Sequence, residues 1–215
     1  MRRRHFITLS AATLSGAIVR GFGRPPAKVR IPLRFFTEPE ALVVAAATAR
    51  IFPSDESGPG AEEAGVVIYI DRQLAGPYGR DRYRYTAPPF ERGVVEQGYQ
   101  GSANPRQIYR SSLRLLAGFD KLPPAQQDEK LRGIETTHFF RLLHQHTIEG
   151  MFCDPMHGGN AGLVGWKLIG FPGPYMSWAD HIDQHPGTAF RPEPKSLSDI
   201  LGRPIQPWED EESQA

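Results

Sequence analysis

One stretch of the sequence, residues 149–174, restricts the possible folds more than any other, and we call it the glycine loop. It contains seven glycines in 26 residues, with large apolar and aromatic residues between them. Linkers rich in glycine are usually polar, because a segment without apolar side chains has nothing to bury. Glycine alternating with apolar groups therefore predicts backbone bends that pack these side chains tightly. Such a segment either covers the core of its own chain or presents a shaped surface to a partner.

Before the glycine loop, apolar residues recur at helical spacing and predict a mainly α fold. Thr37, followed by proline and Glu40, forms a helix start that Pro53 ends. Further helices are predicted over residues 61–76, 90–100, 105–119 and 123–135, with a last one after the Thr136/Thr137 cap. Asp71 and Arg72 are expected on the solvated face of their helix. The predicted architecture is a single compact domain of five or six helices, with the irregular glycine loop packed over it.

The N-terminus has the pattern of an export signal of the twin-arginine type. Arg3 and Arg4 are followed by one spacer and then by Phe6 and an isoleucine, ahead of a mildly apolar run. The run is shorter than the roughly 20 residues that a membrane-spanning helix needs. We therefore divide the chain into a signal segment (1–27), a helical domain (28–195) and a flexible tail rich in proline and acidic residues (196–215). Twin-arginine export predicts a periplasmic protein that folds before it crosses the membrane.

Composition and missing motifs exclude several function classes. The net charge is +1 without a long basic block, so no nucleic-acid partner is predicted, and the single cysteine excludes an internal disulfide. The sequence contains no G-x-G-x-x-G, Walker, C-x-x-C-H or G-x-S-x-G motif. No cofactor is therefore expected in this chain.

A metal or catalytic site remains an alternative in one place. Four histidines, Cys153 and Asp154 fall within 20 residues, and imidazole and thiolate are zinc ligands. His144 and His146 are two positions apart, however, and project from nearly opposite faces of a helix. Asp154 before Pro155 favours a turn that shapes the loop. The alternative is a free-standing periplasmic metal-binding or hydrolytic protein that uses Cys153, Asp154 and His157.

The glycine loop also carries a family resemblance. Residues 154–160 (DPMHGGN) and 165–173 (GWKLIGFPG) resemble the signature of the gluconate 2-dehydrogenase subunit 3 family. The start of the second predicted helix, residues 60–71 (GAEEAGVVIYID), and the twin-arginine leader fit the same family. These proteins are the small subunits of membrane-associated flavin dehydrogenases for sugars, sugar acids and alcohols.

The resemblance implies a division of labour between subunits. A GMC-type flavoprotein holds FAD and oxidises the substrate, and a multihaem cytochrome c carrying haem c takes the electrons. The small subunit has no catalytic residue or cofactor of its own and meets the membrane only through the complex. Its implied role is chaperone-like, in folding, assembly and co-export of the flavoprotein through the twin-arginine translocase. A pure export escort that leaves after delivery is a third reading.

The residues assigned to these roles fall into two sets. Arg3, Arg4 and Phe6 are assigned to export. The set assigned to partner contact or loop architecture consists of Asp154, Pro155, Gly158, Gly159, Asn160, Gly165, Trp166, Lys167, Gly170 and Phe171.

Overall fold

Two helices, α2 (Val66–Ala75) and α5 (His138–Phe152), form the centre of the fold. The five residues that begin α2 are apolar and all buried, so this helix contacts neighbours on every side. It packs most closely against α5 at Gly150, where a Cβ atom would lie 3.1 Å from side-chain carbons of Val66 and Tyr69. The missing side chain at Gly150 lets the two helices approach.

The computed structural model describes residues 6–7 and 31–205, except 83, 85–87, 92, 176, 178, 183–186 and 188–190. The remaining elements in these ranges are β1 (Phe6–Ile7), β2 (Ile31–Pro32), α1 (Glu38–Ile51), α3 (Pro105–Leu115), α4 (Pro124–Arg132), α6 (Val164–Ile169), α7 (Ala179–Ile182) and α8 (Leu197–Leu201). Short 3-10 turns lie at Tyr78–Arg80, Val95–Gln97, Phe119–Lys121, Pro155–His157 and Ala161–Leu163. The predicted mainly α fold is confirmed. The two short strands pair antiparallel, Phe6 with Pro32 and Ile7 with Ile31.

Three helices begin at residues that form capping hydrogen bonds. The Thr37 N–H donates to Glu40 Oε2 over 2.9 Å at the start of α1. Asn104 caps α3, where its side chain accepts the Gln107 N–H over 2.9 Å. Thr137 caps α5 in the same way by accepting the Phe140 N–H over 3.1 Å. These caps fix where α1, α3 and α5 begin.

Two local predictions are wrong. Residues 90–100 do not form an α-helix; within the part that the structure describes they hold only the turn Val95–Gln97. Gly98 has a φ of +70°, a left-handed conformation that does not continue a helix. The helix predicted from residue 61 begins at Val66, after a turn that ends in left-handed Gly65.

The prediction that Asp71 lies on the solvated face of its helix is wrong. Its side chain is only 1% exposed. Its two carboxylate oxygens accept the backbone N–H groups of Arg34, Phe35 and Phe36, over 2.7, 3.0 and 2.7 Å. Burial raises the pKa of this carboxyl group, and the three N–H donors act in the opposite direction. Asp71 thereby holds the segment that enters α1 against the centre of the fold.

Several predictions concern residues outside the described ranges. Arg3 and Arg4 lie outside them, whereas Phe6 is placed in β1. In the predicted tail, residues 197–201 form α8, which Ser196 caps by accepting the Asp199 N–H over 3.2 Å. Residues 206–215 lie outside the described part of the chain.

Candidate functional site: the glycine loop

Asn160 organises the glycine loop from a fully buried position. Its side chain accepts the Gly165 N–H over 2.8 Å and donates to the Cys153 carbonyl over 2.9 Å. Its own N–H donates to the Gly150 carbonyl over 2.8 Å. The backbone of Asn160 is left-handed, with φ of +47°, a conformation that asparagine tolerates better than most residues. One side chain thus joins the end of α5 to the start of α6.

Two glycines allow the loop backbone to lie directly on the last turn of α5. A Cβ atom at Gly159 would lie 2.2 Å from the Gly150 carbonyl oxygen. One at Gly165 would lie 1.9 Å from the Met151 carbonyl oxygen. Real Cβ atoms do not approach backbone oxygens so closely, so any side chain there must displace the loop.

Asp154 and Pro155 shape the turn that follows α5. The Asp154 carboxylate accepts the Met156 N–H over 3.0 Å and the Leu197 N–H over 2.7 Å. The first contact opens the 3-10 turn Pro155–His157, as the Asp-Pro pair predicted. The second contact ties the loop to the start of α8, 43 residues further along the chain.

The side chain of Trp166 is buried, whereas that of Phe171 is exposed. The Trp166 indole N–H donates to the Phe152 carbonyl over 2.7 Å, and the ring packs edge-on against Phe171 with centroids 5.0 Å apart. Phe171 is 40% exposed. Lys167 is exposed and donates to the Gly162 carbonyl over 3.1 Å, and Gly170 caps the end of α6. Phe171 and Lys167 are therefore the members of this set whose side chains are exposed.

The alternative site built on Cys153, Asp154 and His157 lacks a reactive thiol. Burial raises the pKa of the Cys153 thiol to about 12, so it stays protonated at neutral pH. Asp154 already accepts two backbone N–H groups. In the part of the chain that the structure describes, no group of three or more His, Cys, Asp or Glu residues is placed to hold a metal ion.

His146 is buried at the centre of a hydrogen-bonded chain that the sequence did not indicate. Its two ring nitrogens lie 2.8 Å from the hydroxyl oxygens of Tyr78 and Tyr109, which come from different elements. Burial is the main cause that lowers the pKa of His146 to about 4. Burial also raises the pKa of Tyr78 to about 12. A neutral imidazole therefore links α5 to α3 and to the turn after α2.

This arrangement predicts a measurable pH dependence of stability. Above pH 6.5 His146 is neutral in both the folded and the unfolded chain, but below it the unfolded chain binds the proton first. Stability is therefore lost as the pH falls from 6.5 towards 4, by about 3 kcal/mol for this group. Urea unfolding across this range measures the loss. His146→Gln, which cannot titrate, should flatten the profile, whereas His144→Gln on the exposed face should not. Parallel profiles for the wild type and His146→Gln would contradict the assignment.

The glycine loop is thus an architectural element of a mainly α domain, held to the end of α5 and to the start of α8. Residues 38–173 match the family described as gluconate 2-dehydrogenase subunit 3. The match covers more than half of the chain, and the chain belongs to this family. Members of this family are accessory subunits of a multisubunit dehydrogenase.

Neither a curated protein nor a solved structure matches the chain significantly. Of the helices in the described ranges, none is both long and apolar enough to cross a membrane.

Proposed function

We propose that this chain is the non-catalytic small subunit of a periplasmic flavin-dependent dehydrogenase complex. It assists the folding and assembly of the FAD-containing GMC-type subunit and carries the twin-arginine signal with which both are exported. A multihaem cytochrome c completes the complex and provides its association with the membrane. The observation that carries the proposal is the family match over residues 38–173, which includes the glycine loop as far as Gly173.

Exposed apolar side chains next to the glycine loop support a role in binding a partner. Ile169 at the end of α6 is 58% exposed, and Phe171 follows it. Ile200 and Leu201 are exposed on α8, the helix that Asp154 ties to the loop. Exposed apolar groups near one another are typical of surfaces that bind proteins. The glycine loop therefore has exposed apolar groups that could contact a partner, in addition to the buried groups that hold it to its own domain.

The contact that follows the proposed signal along the chain supports export of this chain in a folded state. The chain passes from the proposed signal into residues 34–36, whose N–H groups all donate to Asp71. That contact forms only when α2 is folded and its carboxylate is in place. From residue 34 onward the chain is therefore fixed to the folded domain, as suits a pathway that exports folded proteins.

The alternative of a metal-binding or hydrolytic protein has less support. A protonated Cys153 thiol is a poor nucleophile and a poor metal ligand. The pure export escort differs from a lasting subunit in one observable, which is whether this chain stays bound to the oxidoreductase isolated from the periplasm. We propose a lasting subunit.

Substitution of both signal arginines tests the export role. Arg3→Lys with Arg4→Lys should remove dehydrogenase activity from the periplasm and leave it in the cytoplasm, because the flavoprotein loses its export signal. Activity in the two fractions is measured with a dye acceptor. Arg2→Lys, which keeps the adjacent pair, is the control and should export normally. Periplasmic activity at the wild-type level in the double variant would contradict the shared signal.

A further inference from the structure

Arg72 lies across the backbone of the glycine loop. A Cβ atom at Gly158 would lie 2.8 Å from both Cδ and Nη1 of Arg72, so this side chain occupies the space that the glycine leaves. Gly158 has a φ of +95°, which L side chains rarely adopt. The loop thus supports a half-buried guanidinium group at its edge.

The charge of Arg72 is not neutralised by a direct ion pair. Over the ranges that the structure describes, no carboxylate lies within 4.0 Å of its guanidinium nitrogens, and its side chain makes no hydrogen bond. The adjacent Asp71 already accepts three backbone N–H groups. Burial and, after it, the positive charge of Arg34 lower the pKa of Arg72, and the nearby Asp71 carboxylate acts in the opposite direction. Two neighbouring arginines therefore repel each other at a partly desolvated position, which costs stability in the isolated chain.

A groove lies beside Arg72, because the neighbouring α2 residues Tyr69 and Gln73 line it. It has a volume of about 480 Å³ and runs between α2, the end of α5 and the turn Pro155–His157. Its lining consists of Tyr69, Gln73, Ile148, Glu149, Phe152, Cys153, Asp154 and His157. Gln73 adjoins Arg72 on α2, and His157 precedes Gly158 in the loop. Apolar surface next to an arginine is the composition that protein interfaces favour.

We propose that Arg72, with Arg34 beside it, binds a carboxylate from an Asp or Glu side chain of the companion flavoprotein. The residues next to that carboxylate occupy the groove. This proposal rests on the proposed function and specifies the contact that joins the two subunits. A carboxylate fits better than a nucleic-acid or lipid phosphate, because the chain has a net charge of only +1 and the groove is mostly apolar. The guanidinium group binds a carboxylate through two parallel hydrogen bonds.

Arg72→Gln tests the contact by removing the charge and keeping most of the side chain. The affinity of the purified variant for the companion flavoprotein is measured by calorimetry at low and high NaCl. We expect affinity to fall roughly 10- to 100-fold at low salt and to depend less on salt than that of the wild type. The free variant should unfold at the same urea concentration as the wild type or a higher one, because it loses an unpaired charge. Arg132→Gln on α4 removes an exposed charge and should leave affinity unchanged.

The possible outcomes separate this contact from the wider proposal. Equal affinities of the wild type and Arg72→Gln would overturn the contact and leave the proposed function intact. A clear loss of stability in the free variant would also overturn it, since Arg72 would then serve the fold. A wild-type chain that does not bind the flavoprotein would overturn the proposed function and this contact together. Arg72→Lys keeps the positive charge but lacks the planar guanidinium group. An affinity between those of Arg72→Gln and the wild type would support the proposed carboxylate contact.

Discussion

Asn160→Ala is expected to lower the free energy of unfolding by about 4 kcal/mol. The substitution leaves the buried Gly165 N–H without its acceptor and the Cys153 carbonyl without its donor. Each buried polar group left unsatisfied costs roughly 1–3 kcal/mol. Alanine also tolerates the left-handed backbone at this position less well than asparagine does. The loop should detach from the end of α5, and Trp166 should become more exposed.

Urea unfolding followed by tryptophan fluorescence measures this loss. The matched control is Asn104→Ala, which removes the cap of α3 at an exposed position and should cost only about 1 kcal/mol. A loss for Asn160→Ala no larger than that for Asn104→Ala would show that the loop does not depend on Asn160.

Asp71→Ala is the second substitution with a large expected effect. It removes the common acceptor of three backbone N–H groups, and we expect the free energy of unfolding to fall by about 3 kcal/mol or more. The segment before α1 should open before the rest of the molecule does. Trypsin should then cleave after Arg34 in the variant, whereas in the wild type this peptide bond is held in place.

Mass spectrometry of the tryptic fragments at short digestion times identifies the cleavage site. Asp128→Ala removes the ion pair with Arg50 on the surface and should leave cleavage after Arg34 at the wild-type rate. Equal protection of this bond in the wild type and Asp71→Ala would contradict the role assigned to Asp71.

Local sequence signals were sufficient to predict much of the helical fold. The Thr37 and Thr137 caps lie next to the helices they start, so residues within four positions carry the signal. The combination of glycine and apolar residues likewise predicted that the glycine loop packs tightly. Its contacts are mostly with the end of α5, which immediately precedes it in the sequence.

The failures came from contacts between residues that lie far apart in the sequence. Asp71 looks like a solvated helix residue because its donors stand 35 to 37 positions upstream, and no local pattern records them. The two hydrogen bonds of His146 could not be found from local patterns because Tyr78 and Tyr109 are 68 and 37 positions away. Residues 90–100 have enough apolar groups for a helix, but the positive φ at Gly98 ends regular structure there.

Dye-linked dehydrogenase turnover, measured on the purified chain alone and on its complex with the companion flavoprotein, tests most directly whether this chain is an accessory subunit. We predict that the chain alone oxidises no sugar, sugar acid or alcohol, and that the complex does. Turnover by the isolated chain, free of flavoprotein, would contradict this assignment.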